Sequence, residues 1–229
     1  MDKRKLLTKN DYSKIYRLYA DDYGKDNEHF DLIDKSIDIV TQRNLLKYQV
    51  IDLGTGPGNV TDYLLNKNIS NIIAVDFSPE FIRFLKKKYS GNKLIHVVCS
   101  DMLEYLKQRK PSSACLITAG FSIIHVVDKE VDELFKEIHR VLVPGGLFVM
   151  SCFKGVYKGR EKEPYQTQKD KRLVVEKPLE LYMNYFTENE LQKRTEKAKL
   201  KIVELNTYPA VTSELIDFTA DKIWLLVEK

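Results

Sequence analysis

Short apolar runs rich in β-branched residues alternate with amphipathic stretches between residues 46 and 152. Strands that are apolar on both faces and separated by helices are typical of a parallel sheet covered on both sides. The pattern therefore predicts a doubly wound α/β fold. The predicted strands are 48–53, 71–76, 94–99, 114–118 and 146–151, followed by 200–205 and 222–227 near the end of the chain.

Local chemistry marks several helix boundaries. Ser78 precedes a proline and an acidic residue, which is the composition of a helix N-terminus, and Gly91 stands where that helix should end. Thr187 and Glu190 have the spacing of a capping box. Asp128 is predicted to open another helix, which the Pro-Gly-Gly at 144–146 should stop. The apolar face of that helix comprises Val131, Leu134, Phe135, Ile138 and Leu142.

The chain is 229 residues long, with 43% hydrophobic and 31% charged residues, which excludes a disordered or fibrous protein. Its net charge of +4 is small, and basic and acidic residues are interspersed, so the sequence does not favour a nucleic-acid partner. No apolar run approaches the roughly 20 residues that span a bilayer, and the charged N-terminus does not resemble a signal peptide. We therefore expect a cytoplasmic protein with no membrane partner.

The cysteines and histidines do not have the spacing of a metal site. Cys99, Cys115 and Cys152 are far apart in apolar surroundings, which predicts reduced, buried thiols. The four histidines do not occur as an H-x-x-x-H pair. We expect no metal site.

A glycine loop follows the first predicted strand, in the sequence VIDLGTGPGNV from residue 50 to residue 60. Glycines at this place let the backbone approach a ligand closely at the carboxyl edge of the sheet. The loop differs from a dinucleotide fingerprint because Asn59 stands where the third glycine would be, and it lacks the Gly-Lys-Ser/Thr ending of a P-loop. Asp52 places a carboxylate beside the loop, which suits a cationic ligand rather than a pyrophosphate.

Two further acids end the next strands. Asp76 follows the second strand, where a carboxylate can accept both hydroxyls of a ribose. Asp101 follows the third strand, where it can meet an adenine amino group and can also cap the following helix. Carboxylates at adjacent strand ends suit a ligand that carries an amine, a ribose and an exocyclic NH2.

With these motifs the chain resembles the class I S-adenosylmethionine-dependent methyltransferases, which have a seven-stranded Rossmann-like sheet. The similarity includes the run Gly120–His125 after the fourth strand and the run Val141–Gly146 before the fifth. It also includes Tyr16, Ala20 and Tyr23, which are similar to an aromatic-x3-Ala-x2-Tyr signature ahead of the sheet. The resemblance implies the strand order 3-2-1-4-5-7-6, with the last strand antiparallel, and S-adenosyl-L-methionine as cofactor.

The resemblance also implies residue roles. The loop residues Gly54, Thr55, Gly56 and Gly58 would pass under the methionine part of the cofactor, with Asp52 near its ammonium group. The ribose would be held by Asp76. The remaining contacts implied are Phe77 on the adenine face, Asp101 and Met102 at the base edge, Ala119 and Gly120 beside the methionine, and Tyr23 closing over it.

The domain organisation follows from this alignment of motifs. A single methyltransferase domain is expected over 1–229. Its parts are an N-terminal helical cap at 1–45, a cofactor-binding core at 46–152, an insertion or substrate lid at 153–186, and a closing helix and strands at 187–229. The cap is predicted to contain helices at 9–23 and 27–45, and the insertion a possible strand at 173–175.

His125 is the titratable residue best placed to act as a general base, because a neutral imidazole can accept a proton near pH 7. The alternative is that His125 only packs in its loop. A second open question concerns five tyrosines, which either pack on the sheet edge or form an aromatic wall that favours a cationic or planar acceptor. They are Tyr157, Tyr165, Tyr182, Tyr185 and Tyr208.

The expected reaction is methyl transfer to an O, N or C nucleophile of a small molecule, mainly by alignment and exclusion of water. The sequence Thr118–Phe121 lacks both the Pro-Pro motif of base-methylating members and the acid of metal-dependent members. We therefore expect a metal-free transferase, acting as a monomer or homodimer. The alternatives are a tRNA- or protein-modifying methyltransferase, if the lysines of 154–177 gather on one rim, and a non-catalytic binder of adenosyl ligands. An NAD oxidoreductase is disfavoured by Asn59.

Overall fold

The computed structural model describes residues 27–162, 180–209 and 220–229. The predicted helix at 9–23, the possible strand at 173–175, Tyr23 and Tyr165 lie outside these ranges. The helices are α1 (Asn27–Gln42), α2 (Asn59–Asn66), α3 (Pro79–Lys88), α4 (Met102–Lys107), α5 (Asp128–Val141) and α6 (Glu188–Lys197), with a short 3-10 helix at Ile123–His125. The strands are β1 (Gln49–Leu53), β2 (Ile72–Asp76), β3 (Ile95–Cys99), β4 (Ala114–Gly120), β5 (Leu142–Phe153), β6 (Lys158–Lys162), β7 (Glu180–Asn184), β8 (Lys201–Tyr208) and β9 (Lys222–Glu228).

Seven of these strands form one sheet in the order β3-β2-β1-β4-β5-β9-β8. Strands β1 to β5 pair in parallel, whereas β9 runs antiparallel to both β5 and β8. Since β8 and β9 are the sixth and seventh strands of this sheet along the chain, the predicted order 3-2-1-4-5-7-6 with an antiparallel last strand is confirmed. All carboxyl ends of β1 to β5 therefore meet at one edge of the sheet.

Helices cover the sheet on both faces. One apolar cluster joins α1 and α2 to the sheet, with Ile33 and Leu64 fully buried. The other cluster lies beneath α4, α5 and α6 and contains Phe135, Phe148 and Leu191. Four of the five residues predicted for the apolar face of the helix that opens at Asp128 are buried on it, whereas the fifth, Leu142, begins β5.

The predicted caps form as expected. The Ser78 hydroxyl accepts a hydrogen bond from Phe81 N, and Thr187 forms both hydrogen bonds of a capping box with Glu190. Asp101 caps α4, since its side chain accepts hydrogen bonds from the amides of Leu103 and Glu104 in the first turn of that helix. Each cap satisfies backbone donors that a helix start leaves open.

The expected boundary between α5 and β5 was wrong. The helix ends at Val141 and the strand begins at Leu142, so the Pro-Gly-Gly at 144–146 lies inside the strand. Leu142 pairs with Ala114, and the register with β4 then shifts before pairing resumes at Leu147. Gly145, at φ 75°, forms this irregularity and donates its amide to the carbonyl of Lys229.

The insertion after β5 contributes a second, two-stranded antiparallel sheet made of β6 and β7. Its base is held to the domain by Lys158, which forms salt bridges with Asp128 at 3.3 Å and with Glu190 at 3.1 Å.

All three cysteines were expected to be buried, but Cys99 is exposed because it ends an edge strand, whereas the other two are buried. None of the helices within the described ranges is long and apolar enough to cross a membrane.

Candidate active site

A cleft opens at the carboxyl edge of the sheet. It brings together residues that follow β1, β2, β3 and β4, because parallel neighbours end at the same edge. Its lining comprises Gly54, Asp76, Phe77, Ser100, Asp101, Met102, Ser122, His125, Val126 and Val127.

The glycine loop turns sharply over β2. The amides of Gly54 and Thr55 both donate to the carbonyl of Val75, at 2.8 and 3.0 Å. Gly54 has φ 69°, and a Cβ there would lie only 2.3 Å from Cβ of Ser122. A side chain at this position is therefore excluded by both the backbone conformation and the neighbouring loop.

The far side of the loop is held by the end of α3 and the residue after it. Lys88 Nζ donates to the carbonyl of Pro57 at 3.0 Å, and the Tyr89 hydroxyl donates to the carbonyl of Gly58 at 3.1 Å. Both side chains also contact Asp62 on α2. These contacts fix the loop from outside the cleft.

Asp52 is buried at the end of β1 inside a hydroxyl network. Its Oδ1 accepts a hydrogen bond from Thr118 and its Oδ2 accepts one from Thr61, both at 2.9 Å. Because the Thr61 hydroxyl already donates its one proton to Asp52, the Thr55 hydroxyl is the donor in the hydrogen bond of 3.0 Å between the two threonine oxygens. Burial raises the pKa of Asp52, while the three hydroxyls favour its charged form. Asp52 thus ties β1 to β4 and α2 beneath the loop.

Asp76 borders the cleft and is bound by backbone donors. Its Oδ2 accepts from Gly56 N at 2.9 Å, and its Oδ1 accepts from Ser78 N at 2.8 Å. Burial raises its pKa to about 6, and the nearby charge of Asp52 adds to this effect. A donor from a ligand, such as a ribose hydroxyl, would stabilise the ionised form.

Asp101 has the double position predicted from its sequence context. Its Oδ1 accepts hydrogen bonds from Leu103 N and Glu104 N, at 3.0 and 3.2 Å, while the residue also borders the cleft. Phe77 and Met102 border the same cleft.

His125 lies on the opposite side of the cleft, in the short helix after β4. Its Nδ1 is 3.0 Å from the carbonyl oxygen of Tyr182 on β7. A carbonyl only accepts hydrogen bonds, so Nδ1 carries the hydrogen and Nε2 has the lone pair. Burial lowers the pKa of His125 to about 4, so the ring is neutral at pH 7.

The loop after β4 contributes residues that the sequence analysis missed. Ser122 lines the cleft and donates its hydroxyl to the carbonyl of Leu53 at 2.7 Å, which joins this loop to the end of β1. Phe121 has φ 47°, an uncommon conformation for a residue with a side chain. No sequence signal marks either feature, since one depends on a distant carbonyl and the other on backbone conformation.

The structure brings six of the predicted site residues to this cleft: Gly54, Asp76, Phe77, Asp101, Met102 and His125. The others occupy different places. Gly56 donates to Asp76, Thr55 joins the Asp52 network, Ala119 is buried in the core and Gly120 pairs with Ser151 on β5.

The residues present fit an adenosyl cofactor. Gly56 is buried, yet no atom lies within 4 Å of the point where its Cβ would be, so the loop leaves space for a ligand against its backbone. The Asp76 carboxylate and the Phe77 ring border the same cleft as Gly54. This set offers an acceptor for hydroxyls, an apolar face for a base and a glycine surface for an extended chain. Among the described residues, no group of His, Cys, Asp and Glu side chains is arranged to hold a metal ion.

Known proteins share both the sequence pattern and the fold. A family model described as a methyltransferase domain matches residues 51–150. An uncharacterised methyltransferase of Oceanobacillus iheyensis is 29% identical over 136 residues, which make up 58% of this chain and 60% of that protein's length. Malonyl-acyl-carrier protein O-methyltransferase 2 of Ilyobacter polytropus is 25% identical over 194 residues, 84% of this chain and 68% of that protein.

Among solved structures, the 1,6-didemethyltoxoflavin-N1-methyltransferase of Burkholderia thailandensis superimposes with a TM-score of 0.65 at 18% identity, covering 98% of this chain and 88% of that one. That structure contains 1,6-didemethyltoxoflavin and S-adenosylhomocysteine. The chain is thus similar in sequence to methyltransferases over residues 51–150, and it has the fold of S-adenosylmethionine-dependent methyltransferases.

Proposed function

We propose that the protein transfers a methyl group from S-adenosylmethionine to an O, N or C nucleophile of a small molecule, without a metal ion. The observation that carries this proposal is the arrangement of one cleft, with Asp76 and Asp101 on one side and His125 on the other. The first side provides acceptors for the adenosine, and the second provides a neutral base.

In this proposal the cofactor lies along the strand ends. Asp76 accepts the ribose hydroxyls, Phe77 lies against the adenine, and Asp101 with Met102 meets the base edge. Gly54 to Gly58 pass under the methionine part, where Gly56 leaves open space. Ala119, Gly120 and Tyr23 stay predicted contacts of the methionine part.

The cofactor supplies an activated methyl group on a positively charged sulfur. When bound, it would give this methyl group to the acceptor's lone pair, and the electron pair of the sulfur–methyl bond would remain on sulfur. The proton that the acceptor loses goes to Nε2 of His125, because Nδ1 already donates to Tyr182. Alignment by the cleft walls and exclusion of water supply the remaining rate enhancement.

Two observations favour a small molecule over a nucleic acid. Two lysines of the predicted basic rim are engaged within the protein, since Lys154 pairs with Glu188 at 2.6 Å and Lys158 pairs with Asp128 and Glu190. The structure of the Burkholderia neighbour contains 1,6-didemethyltoxoflavin, and no nucleic acid is named with it. Metal independence is supported by the uncharged residues Ala119 to Phe121 at the end of β4, where a metal-dependent enzyme needs a carboxylate.

Calorimetric titration with S-adenosylmethionine, S-adenosylhomocysteine and NAD tests the cofactor part of this proposal. We expect micromolar binding of the two adenosyl ligands and none of NAD. Incubation with methyl-labelled S-adenosylmethionine and a panel of small nucleophiles, with and without EDTA, then tests the transfer. Adenosyl binding without turnover on any acceptor would support the non-catalytic alternative instead, and a loss of turnover in EDTA would refute metal independence.

The pKa of Asp76 predicts a pH-dependent affinity. Ribose hydroxyls donate to the ionised carboxylate, so protonation below a pKa of about 6 weakens binding. We expect the affinity for S-adenosylhomocysteine to rise by up to about tenfold between pH 5 and pH 7 and then to level off. Asp76→Ala should bind more weakly by over about 1 kcal/mol at pH 7 and should lose this pH dependence. Asp132→Ala is the control, because Asp132 pairs with Arg194 and Lys197 on α6 and does not border the cleft, and it should bind S-adenosylhomocysteine as wild type does. An Asp76→Ala variant with wild-type affinity would remove the ribose assignment.

A further inference from the structure

A line of ring contacts follows the carboxyl edge of the sheet beyond the cleft. We define the aromatic rim as Phe121, Phe153, Tyr157 and Tyr185. Neighbouring ring centroids are 5.0 Å apart for Phe121 and Phe153, 5.9 Å for Phe153 and Tyr185, and 6.0 Å for Tyr185 and Tyr157. Trp224 supports the rim from below, with its ring centroid 5.6 Å from that of Phe121.

The rim begins where the cleft ends. Phe121 directly precedes Ser122, which lines the cleft, and Phe153 ends β5, the neighbour of β4. The adenosine side of the cleft lies at the ends of β2 and β3, so the rim lies on the other side of the glycine loop. In the proposed binding mode an acceptor approaches the methyl group from the side opposite the sulfur, and the rim begins at the ends of β4 and β5, across the glycine loop from the adenosine side.

Part of this aromatic surface is exposed. Tyr157 is 42% exposed and the adjacent Val156 is 80% exposed, while the rings of Phe121 and Phe153 are only partly buried. Large apolar side chains grouped at a surface next to a cleft commonly mark a binding site. Phe121 in addition keeps its ring at the rim at the expense of a left-handed backbone, which costs about 1–2 kcal/mol for a residue with a Cβ.

We propose that the methyl acceptor is a planar aromatic molecule whose ring packs on the exposed side of the aromatic rim. This inference rests on the proposed function. Flat rings gain offset or edge-to-face contacts from such a surface, whereas a puckered saturated ring of the same size cannot match several ring faces at once. The rim is joined to the base through the chain, since Tyr182, whose carbonyl orients His125, is three residues before Tyr185. The acceptor atom is thus one that loses a proton, such as a ring hydroxyl or ring N–H.

The rim differs from the aromatic wall that the tyrosines suggested. Tyr157 and Tyr185 belong to it, whereas Tyr182 is directed to the loop after β4 and Tyr208 contacts only the supporting Trp224 among the described rings. Within the rim, the two phenylalanines at the ends of β4 and β5 are the rings next to the cleft-lining loop after β4.

A matched pair of probes tests this proposal. We would titrate 2-naphthol and its saturated counterpart decahydro-2-naphthol, which share a carbon skeleton and a hydroxyl, into the full chain saturated with S-adenosylhomocysteine, using saturation-transfer NMR. We expect 2-naphthol to bind at least tenfold more tightly. Phe121→Leu and Phe153→Leu should each remove most of this difference. Leucine keeps the Cβ, so the backbone strain at Phe121 is the same in both proteins.

Tyr48→Leu provides the control, because Tyr48 is a half-buried ring with a lysine ammonium 5.4 Å above it at the opposite edge of the sheet. That variant should keep the preference for the planar probe. Equal binding of the two probes by wild type, or a preference that survives both phenylalanine changes, would overturn the proposal and leave the rim as packing. Titration of S-adenosylhomocysteine into the same samples separates this result from the proposed function, since failure of that ligand to bind counts against the cofactor site and not the rim.

Discussion

Replacing His125 by asparagine is expected to lower turnover by about a hundredfold or more while leaving the affinity for S-adenosylhomocysteine unchanged. The amide nitrogen of asparagine can occupy the place of Nδ1 and donate to the Tyr182 carbonyl, so the contact between the loop and β7 is kept. The substitution removes Nε2, which is the atom proposed to accept the proton. A structural role and a catalytic role for His125 therefore predict different results.

The pH profile gives a second readout. With the cofactor saturating, the imidazole is neutral above its pKa of about 4, so wild-type turnover should stay level from about pH 5.5 to pH 8. An ordinary histidine would instead lose activity below about pH 6.5. In the asparagine variant, the residual rate should rise with pH wherever the acceptor itself ionises.

His139→Asn is the matched control, because His139 is a partly buried histidine on α5 that does not border the cleft. It should keep wild-type turnover. A general base usually contributes about a hundredfold or more to the rate. If His125→Asn retains more than about a tenth of the wild-type rate, the loss is smaller than that, and His125 serves only to hold its loop. Turnover is measured with whichever acceptor the labelled-methyl screen identifies.

The sequence was sufficient to predict the sheet because its signals are local. Each strand is a short apolar run, and the ends of parallel strands must meet, so the sequence alone predicts Asp76 and Asp101 at one edge. The caps at Ser78 and Thr187 were predictable for the same reason, since each depends on residues within three positions.

Features that depend on backbone atoms distant in sequence were not predictable. The orientation of His125 is set by a carbonyl 57 residues away, and the place of the Ser122 hydroxyl is set by a carbonyl 69 residues away. Neither acceptor has a side-chain signature. The early start of β5 was missed because a proline and two glycines usually end a strand or helix. Here the register with β4 shifts at this place, and the carbonyl of Lys229 accepts the amide hydrogen of Gly145, so the strand continues.

Two glycines of the loop should respond differently to alanine, although both have positive φ. In Gly54→Ala the new Cβ would lie 2.3 Å from Cβ of Ser122, an atom fixed to its own backbone, so the loop after β4 has to move. Overpacking of about 1–3 kcal/mol adds to left-handed strain of about 1–2 kcal/mol. We expect the free energy of unfolding to fall by about 3 kcal/mol, with a melting temperature about 6–12 °C lower.

Gly56→Ala meets no atom within 4 Å, so its stability should fall only by the backbone strain of about 1–2 kcal/mol. Its methyl group instead fills the space that the loop leaves for the cofactor. We expect the affinity for S-adenosylhomocysteine to drop by at least about tenfold, which corresponds to about 1.4 kcal/mol.

Gly91→Ala separates these two effects, because Gly91 also has positive φ and open space around its Cβ position but lies after α3, away from the cleft. It should lose as much stability as Gly56→Ala and keep wild-type affinity. Thermal melts without ligand and calorimetric titrations on the folded variants measure both quantities. If Gly56→Ala binds S-adenosylhomocysteine as tightly as Gly91→Ala does, the cofactor does not lie on this loop. If Gly54→Ala has the same melting temperature as Gly56→Ala, the loop that carries Ser122 moves aside without loss of stability. In that case this loop does not hold the glycine turn in place.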